Sequence, residues 1–353
     1  MAPVLREMRS RSADFAPVFV STGQHPELVQ GACDVFDLQP DVSLPLPPVS
    51  ASLAARSASL LANCDAWFSQ TPLDAVLVQG DTSSAMCAAL AAFYRGLPVG
   101  HVEAGLRTRD PWSPFPEEAH RQSIAAYARW SFCPTASARQ HLLAEGVAEE
   151  RIVVTGNTVI DSIRWLSGRP TPPAISSSVA RLFATHRTML ITVHRREHIP
   201  HGVTALCRAI AELLRRVPDL AGVFPVHHNP QVQEIVARQA GATERLVCCE
   251  PQPYDVMAAM LSRCVLVVTD SGGLQEEAPS YGKRVVLCRA NTERPEGVAA
   301  GTTLVAGPDA DAIVDACLTA LNLPPVPPGA NPFGDGYAAG RICDALLRAR
   351  SSW

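Results

Sequence analysis

The chain has 353 residues, 47% of them apolar, with a formal net charge of −4. That is enough apolar material to bury two cores and too much for a disordered chain. The nearly balanced charge gives no reason to expect nucleic acid or an anionic membrane as a partner, and no apolar run reaches the roughly 20 residues of a membrane span.

In chain order, the predicted strands of the first half are "PVFVS" (17–21), "AVLVQ" (75–79), "VGHVE" (99–103), "WSFCP" (130–134) and "IVVTG" (152–156). Those of the second half are "MLITV" (189–193), "GVFPV" (222–226), "LVCC" (246–249), "VLVVT" (265–269) and "RVVLC" (284–288). Helical spacing fills the intervals, as in "SSAMCAALAAFYRG" from Ser83, "HGVTALCRAIAELLRRV" from His201 and "DAIVDACLTAL" from Asp311. Continuous apolar strands alternating with helices predict parallel sheets covered on both faces. The proline- and serine-rich stretch Ser167–Ser178 separates the two sets of strands, and "LPPVPPGANPFGDG" precedes a last helix ending near Arg350. The predicted fold is therefore α/β, with two Rossmann-like domains facing a cleft: residues 1–166 with 335–353, and 167–334. The N-terminal stretch lacks the apolar core of a signal peptide. Eleven cysteines are scattered without C-x-x-C spacing, and Cys133, Cys264 and Cys288 lie within apolar runs. Buried reduced thiols of a cytoplasmic protein explain this better than disulfides or zinc.

Ligands of such sheets bind beyond the carboxyl ends of the strands, and each end here carries polar residues. Asp81 follows "AVLVQG" and opens onto Thr82-Ser83-Ser84; taken alone, it reads as a helix N-cap. Glu103 opens "EAGLRTRDPWSPFPEEAHR", whose prolines forbid a regular helix before Pro116, so its charges sit on a stiff loop. One Arg–Glu pair in that loop is expected to be structural. The run His194–His198 matches the zinc pattern H-x-x-E-H, but it follows a strand directly and carries Arg195 and Arg196; a cationic loop for a polyanion, helped by Arg294, is the better reading. Of His227 and His228, one is expected to pack and the other to be solvated. Ser271-Gly272-Gly273 opens a helix in the manner of a phosphate turn, with Glu277 one turn later for ribose hydroxyls, although a tight turn without ligand fits the motif equally well. Together these features suggest a nucleotide-sugar ligand: amides and cations for a diphosphate in one half, and Asp81, Glu103 and Glu117 for proton transfer in the other. The absence of G-x-G-x-x-G argues against a nicotinamide cofactor.

The motifs "STGQH", "VQGDTSS", "HVEAGLRTRDPWSPFPEEAHR", "TGNTVID", "HRRE", "PVHHNP", "TDSGGLQEEAPSYGK", "NTERPEG" and "NPFGDG" run from near residue 21 to near 341. In this order they resemble the non-hydrolysing UDP-N-acetylglucosamine 2-epimerase family. The resemblance implies two Rossmann-like domains as in GT-B glycosyltransferases, with the last helix returning to the first domain. It implies reversible conversion of UDP-N-acetylglucosamine to UDP-N-acetylmannosamine, by elimination of UDP to 2-acetamidoglucal and re-addition, without cofactor or metal. It also implies a cytoplasmic homodimer that supplies cell-surface polysaccharide synthesis. Asp81, Glu103 and Glu117 match the family's active-site acids, with the general base among them left open; Arg121 would orient them. His194 and Arg294 would stabilise the departing UDP. Ser271, Gly272, Gly273 and Glu277 would hold it, with Gln252 and Met257 on the uracil side. Gln24, Arg195 and His227 match a second, activating UDP-N-acetylglucosamine site.

The chain departs from the family in places. Glu27 replaces a glutamine of the activating site, Met257 stands where an aromatic residue is common, and "HIPHG" follows "HRRE". The family also begins with a strand and a Gly-Thr-Arg-Pro-Glu-Ala turn ahead of the residues matched by "MAPV". The expectation is a first domain without its first strand, and poor folding or activity of these 353 residues alone. The alternatives are a GT-B glycosyltransferase, a hydrolysing epimerase and an inactive UDP-sugar-binding remnant. The intact "EAGLRTRDPWSPFPEE" argues against the hydrolysing type.

Overall fold

Proline at the start and an apolar stripe of Val4, Leu5 and Met8 open the chain as helix α1 (Ala2–Ser10). The computed structural model describes residues 1–24, 26–45, 51–169, 174–193, 201–240, 243–327 and 329–349. The chain forms two units: Met1–Arg164 together with the segment from Phe333 on, and Trp165–Pro332. It is an α/β protein, and every strand pair among the described residues is parallel.

In the first unit, α1 is followed by β1 (Val20–Ser21), α2 (Pro26–Phe36), β2 (Val42–Ser43), α3 (Leu53–Phe68), β3 (Val76–Gln79), α4 (Ser83–Tyr94) and β4 (Val99–Val102). Then come α5 (Glu117–Tyr127), β5 (Trp130–Cys133), α6 (Ala136–Ala144), β6 (Ile152–Val154) and α7 (Thr158–Ser167), within which the chain passes to the second unit. The sheets are β1–β2 and β3–β4–β5–β6. Strands β4 and β5 are buried on both faces, including their polar members His101 and Ser131. Complete burial of Phe132 alone contributes about 1.5–3 kcal/mol. Helix starts are fixed locally: Ser52, Thr82 and Thr135 each accept a hydrogen bond from the backbone N–H three residues on.

The second unit contains α8 (Ser177–Thr185), β7 (Arg187–Thr192), α9 (His201–Arg216), β8 (Leu220–Pro225), α10 (Pro230–Ala240), β9 (Leu246–Cys249), α11 (Tyr254–Arg263) and β10 (Leu266–Thr269). It continues with α12 (Gly272–Glu277), β11 (Arg284–Leu287), α13 (Pro295–Ala299), β12 (Thr303–Val305) and α14 (Ala310–Asn322). Its six strands run in the order β12–β11–β10–β7–β8–β9, the doubly wound arrangement whose direction reverses between β7 and β10. Helix α9 buries Val203, Leu206, Cys207, Ile210, Leu213 and Leu214, a stripe with the 3.6-residue period that covers the sheet.

Helix α15 (Ala338–Ala349) belongs to the first unit, where Ile342, Cys343 and Leu346 pack with Val4, Met8 and Phe132. Its start is held by Asp161, whose carboxylate accepts from the N–H groups of Ala338 and Ala339 at 3.1 and 2.8 Å. All eleven cysteines are free; nine are buried, Cys249 is half-buried and Cys248 is exposed. The sequence reading missed α1, β2 and β12. The two strands are two and three residues long, below the length at which a period can be read.

Candidate active site

The first group of candidate residues gathers at the carboxyl ends of β3 and β4. Asp81 follows β3 by two residues and Glu103 follows β4 directly. Arg121, on the second turn of α5, bonds to both: its Nε donates to Asp81 Oδ2 at 2.7 Å, and its Nη2 to Glu103 Oε1 at 3.2 Å. Its Nη1 also donates to the Glu103 carbonyl at 2.9 Å. Asp81 is therefore not the helix cap that its position suggests. Thr82 takes that role by accepting from Ala85, because the guanidinium claims the aspartate.

Glu103 holds φ at 65°, left-handed backbone that costs a non-glycine residue on the order of 1–3 kcal/mol and is commonest at functional sites. Gln79 donates to its other oxygen at 3.3 Å. Two imidazoles brace the end of β3 from beneath: His101 Nε2 bonds to the Gly80 carbonyl and His120 Nδ1 to the Asp81 carbonyl, both at 2.8 Å. Burial holds the His101 ring down at about 4, so it is neutral at physiological pH.

Glu117 opens α5 one turn ahead of Arg121, which sets both side chains on one helix face. Its Oε2 is buried and has no hydrogen-bond partner among the described residues. The loop before it is pinned by Glu118, whose carboxylate accepts from the Thr108 and Arg109 amides at 3.0 and 3.1 Å and from Gln122 at 2.8 Å. Instead of an Arg–Glu pair within the loop, Arg107 pairs with Glu145 of the α6 C-cap outside it, at 2.7 and 2.8 Å. Gly105 completes the loop: at φ +85°, a Cβ there would lie 2.3 Å from the Ala138 carbonyl oxygen. Sequence reasoning missed the positioning roles of Gln79, His101, Glu118 and His120, although all but Gln79 lie in the charged stretch it singled out.

In the second unit, β7 and β10 end at the switch point, joined by Thr192 Oγ1 and Thr269 Oγ1 at 2.6 Å. Ser271 stands at the N-cap position of α12 without a side-chain capping bond among the described residues, and Gly272 and Gly273 open its first turn. Arg294 lies against this turn. It donates to Glu276 Oε1 and Glu293 Oε1, both at 2.6 Å, and Arg289 bonds to Glu293 at 3.1 Å. Arg289 Nη1 is buried without a partner among the described residues. Burial, aided by the neighbouring charge of Glu276, pushes the Glu277 carboxyl up from 4.5 to about 8. Gln252 and Met257 flank the start of α11, where Gln252 Nε2 donates to the Glu250 carbonyl at 2.6 Å.

Gln24 belongs to the first unit, where its Oε1 accepts from the Ser84 amide and hydroxyl. His227 belongs to the second, beyond β8, and its Nδ1 accepts from the Asn229 amide at 3.1 Å; it is half-buried and His228 is exposed. His194, Arg195 and the remainder of the H-x-x-E-H run lie outside the described residues.

A Cβ at position 272 would sit 2.4 Å from Arg294 Nη1, so Gly272→Ala must displace the guanidinium. Overpacking of this kind costs about 1–3 kcal/mol. Denaturant unfolding of Gly272→Ala is expected to show this loss of stability.

Parallel sheets with acids at the strand ends of one unit, and a glycine-opened helix beside buried arginines in the other, define an α/β protein with polar groups gathered at the strand ends of each unit. A family model described as UDP-N-acetylglucosamine 2-epimerase matches residues 6–347, and the chain belongs to that family. It is 41% identical over 355 residues to the UDP-N-acetylglucosamine 2-epimerase of Yersinia pestis, covering 98% of this chain and 94% of that protein. The structure of the S. aureus protein MnaA with UDP superposes with a TM-score of 0.90 at 34% identity, covering 99% of this chain and 93% of that one. The UDP-GlcNAc 2-epimerase of Neisseria meningitidis bound to UDP-GlcNAc gives 0.88 at 32%, covering 99% and 96%.

Proposed function

We propose that the protein is an isomerase that interconverts UDP-N-acetylglucosamine and UDP-N-acetylmannosamine by inverting C2 of the sugar. The family and the ligands of its solved relatives support the substrate. The observation that carries the chemistry is the contrast among the three acids. Arg121 compensates Asp81 and Glu103, whereas Glu117 keeps a buried oxygen unpartnered among the described residues.

The C2 proton is not adjacent to a carbonyl, so its removal has to be coupled to departure of a leaving group. A carboxylate takes the proton, the C1–O bond breaks with its electron pair going to the β-phosphate, and a C1–C2 double bond forms, giving 2-acetamidoglucal and UDP. Re-addition of UDP at C1 and delivery of a proton to the opposite face of C2 complete the inversion. The sequence is redox-neutral and balances without a cofactor. Glu117 exchanges the proton, while Asp81 and Glu103 offset the oxocarbenium-like charge at C1. Ser271, Gly272, Gly273, Arg294 and His194 hold and stabilise the departing diphosphate, Glu277 the ribose, and Gln252 and Met257 the uracil side. Gln24, Arg195 and His227 serve a second site for the activating nucleotide sugar. The protein works in the cytoplasm, which suits its unpaired thiols. It works as a homodimer, for which the exposed Phe93 and Tyr94, with Phe93 stacked on Tyr127 at 5.2 Å, offer an apolar surface.

The test is acceptor-free incubation with UDP-N-acetylglucosamine. Formation of UDP-N-acetylmannosamine, with no net UDP and no free amino sugar, is the expected result. A requirement for an acceptor would indicate a transferase; release of N-acetylmannosamine would indicate a hydrolysing epimerase.

Glu277 gives a pH signature. The folded carboxyl keeps its proton to about 8, whereas an unfolded glutamate releases it near 4.5. The folded state therefore binds the extra proton across that window, and this group's contribution to stability is full at low pH and lost as pH rises through about 8. Ribose hydroxyls donate to the ionised form, so UDP affinity is expected to climb between about pH 7 and 9. The rise should vanish in Glu277→Gln when titrated by calorimetry; a rise that persists in the variant assigns it to another group.

A further inference from the structure

Arg289 follows β11 by two residues. The last residue of β11, Leu287, pairs with Thr269 of β10, and the Cys288 amide still donates to the Thr269 carbonyl at 2.8 Å. Two positions beyond the Thr269–Leu287 pair stand Ser271 and Arg289. Arg289 therefore leaves the sheet at its carboxyl end, level with the residue that opens α12. Ligands of doubly wound parallel sheets bind at this end.

The Arg289 side chain is 5% exposed. Its Nη2 donates to Glu293 Oε2 at 3.1 Å, while Nη1 is buried with no hydrogen-bond partner among the described residues. Burying a charged donor with a bond unmade is costly, so an ion pair of purely structural purpose gains nothing from it. An anion-binding group, by contrast, must keep such a donor in reserve.

The surroundings favour the same reading. Arg294 donates Nε to Glu276 Oε1 and Nη1 to Glu293 Oε1. Two carboxylates thus answer Arg294, and Glu293 is shared with Arg289. The charges of these four side chains cancel, so attraction of an anion here depends on a directed donor more than on net charge. The loop that carries both arginines is also held in place. Thr292 Oγ1 donates to Gln275 Oε1 at 2.8 Å and accepts from the Arg294 amide at 3.1 Å. Gln275 is itself fully buried in α12. A donor fixed in advance loses little freedom on binding.

We propose that Arg289 is a further ligand-binding residue of the nucleotide site, whose Nη1 donates to a phosphate oxygen of UDP while its Nη2 stays on Glu293. The assignment rests on the reading that this unit holds the UDP of a nucleotide sugar. A guanidinium suits the double task, because its planar fork presents two nitrogens to two partners, whereas one ammonium cannot span both. Glu293, facing both arginines, sets the spacing between them.

The experiment measures dissociation constants for UDP by calorimetry and for uridine by ligand-observed NMR. Arg289→Lys keeps a cation beside Glu293 without the fork. It is expected to melt close to wild type and to bind UDP roughly 10- to 100-fold more weakly, with uridine binding unchanged. Arg289→Met should lose at least as much affinity for UDP and again none for uridine. Glu293→Gln, with one negative charge fewer beside the two arginines, should bind UDP as tightly as wild type or more tightly. Unchanged UDP affinity in Arg289→Lys overturns the assignment. So does an equal loss for uridine, or a matching loss of UDP affinity in Glu293→Gln, which would show that Arg289 acts only by holding Glu293. Wild-type protein that binds no UDP would overturn the functional reading itself, and the assignment with it.

Discussion

Glu117→Gln is expected to slow epimerisation by roughly 100- to 10,000-fold, the usual cost of losing a positioned acid or base, with UDP affinity and melting temperature close to wild type. The amide keeps the shape of the carboxylate but exchanges no proton near neutrality. Two features separate Glu117 from its neighbours. It caps no helix by its side chain, and its buried oxygen has no partner among the described residues, so the substitution breaks no recorded hydrogen bond at that atom. A stability change would therefore be small and a rate change would be chemical. Steady-state assays and calorimetry with UDP check both, and turnover near wild type in Glu117→Gln would remove the residue from the mechanism.

Arg121→Met is expected to cost both stability and turnover. The guanidinium is buried, with its side chain 9% exposed, and it answers carboxylates that are 24% and 17% exposed. Removing one partner from a buried ionic cluster costs about 3–5 kcal/mol because the charges left behind are uncompensated; the partial exposure of both acids places this case at or below the lower end. Turnover should fall by about 100-fold or more as Asp81 and Glu103 move apart. Arg121→Lys separates charge from geometry. A single ammonium cannot span both acids and the Glu103 carbonyl, so it should restore part of the stability and little of the turnover. Melting curves and kcat of the two variants check this. A methionine variant with wild-type melting and rate would show that Arg121 positions nothing.

The parallel strands and their alternating helices were legible because a strand buried on both faces leaves a continuous apolar run, as at "LVV" (266–268) and "VVL" (285–287). The acids were legible as residues, since strand-end positions in such sheets are where ligands bind. Their partnership was not. Asp81 and Arg121 lie forty residues apart, and local reading made Asp81 a cap when the cap was Thr82. The motif "TGNTVID" carried a structural task invisible in sequence: Asp161 holds the start of α15 across 177 positions. "TERPEG" likewise hid that Arg294 meets Glu276 and Glu293, because ionic pairs between loops depend on the sheet order that brings the loops together.

The proton at C2 is the most direct test of the chemistry. The protein is incubated with UDP-N-acetylglucosamine in D2O without acceptor, and the C2 position of the product is read by NMR and mass spectrometry. UDP-N-acetylmannosamine bearing deuterium at C2, formed without net release of UDP, is the expected result. Product that retains its original C2 proton, or substrate left unchanged by the folded protein, would contradict an elimination and re-addition carried out by the acid cluster.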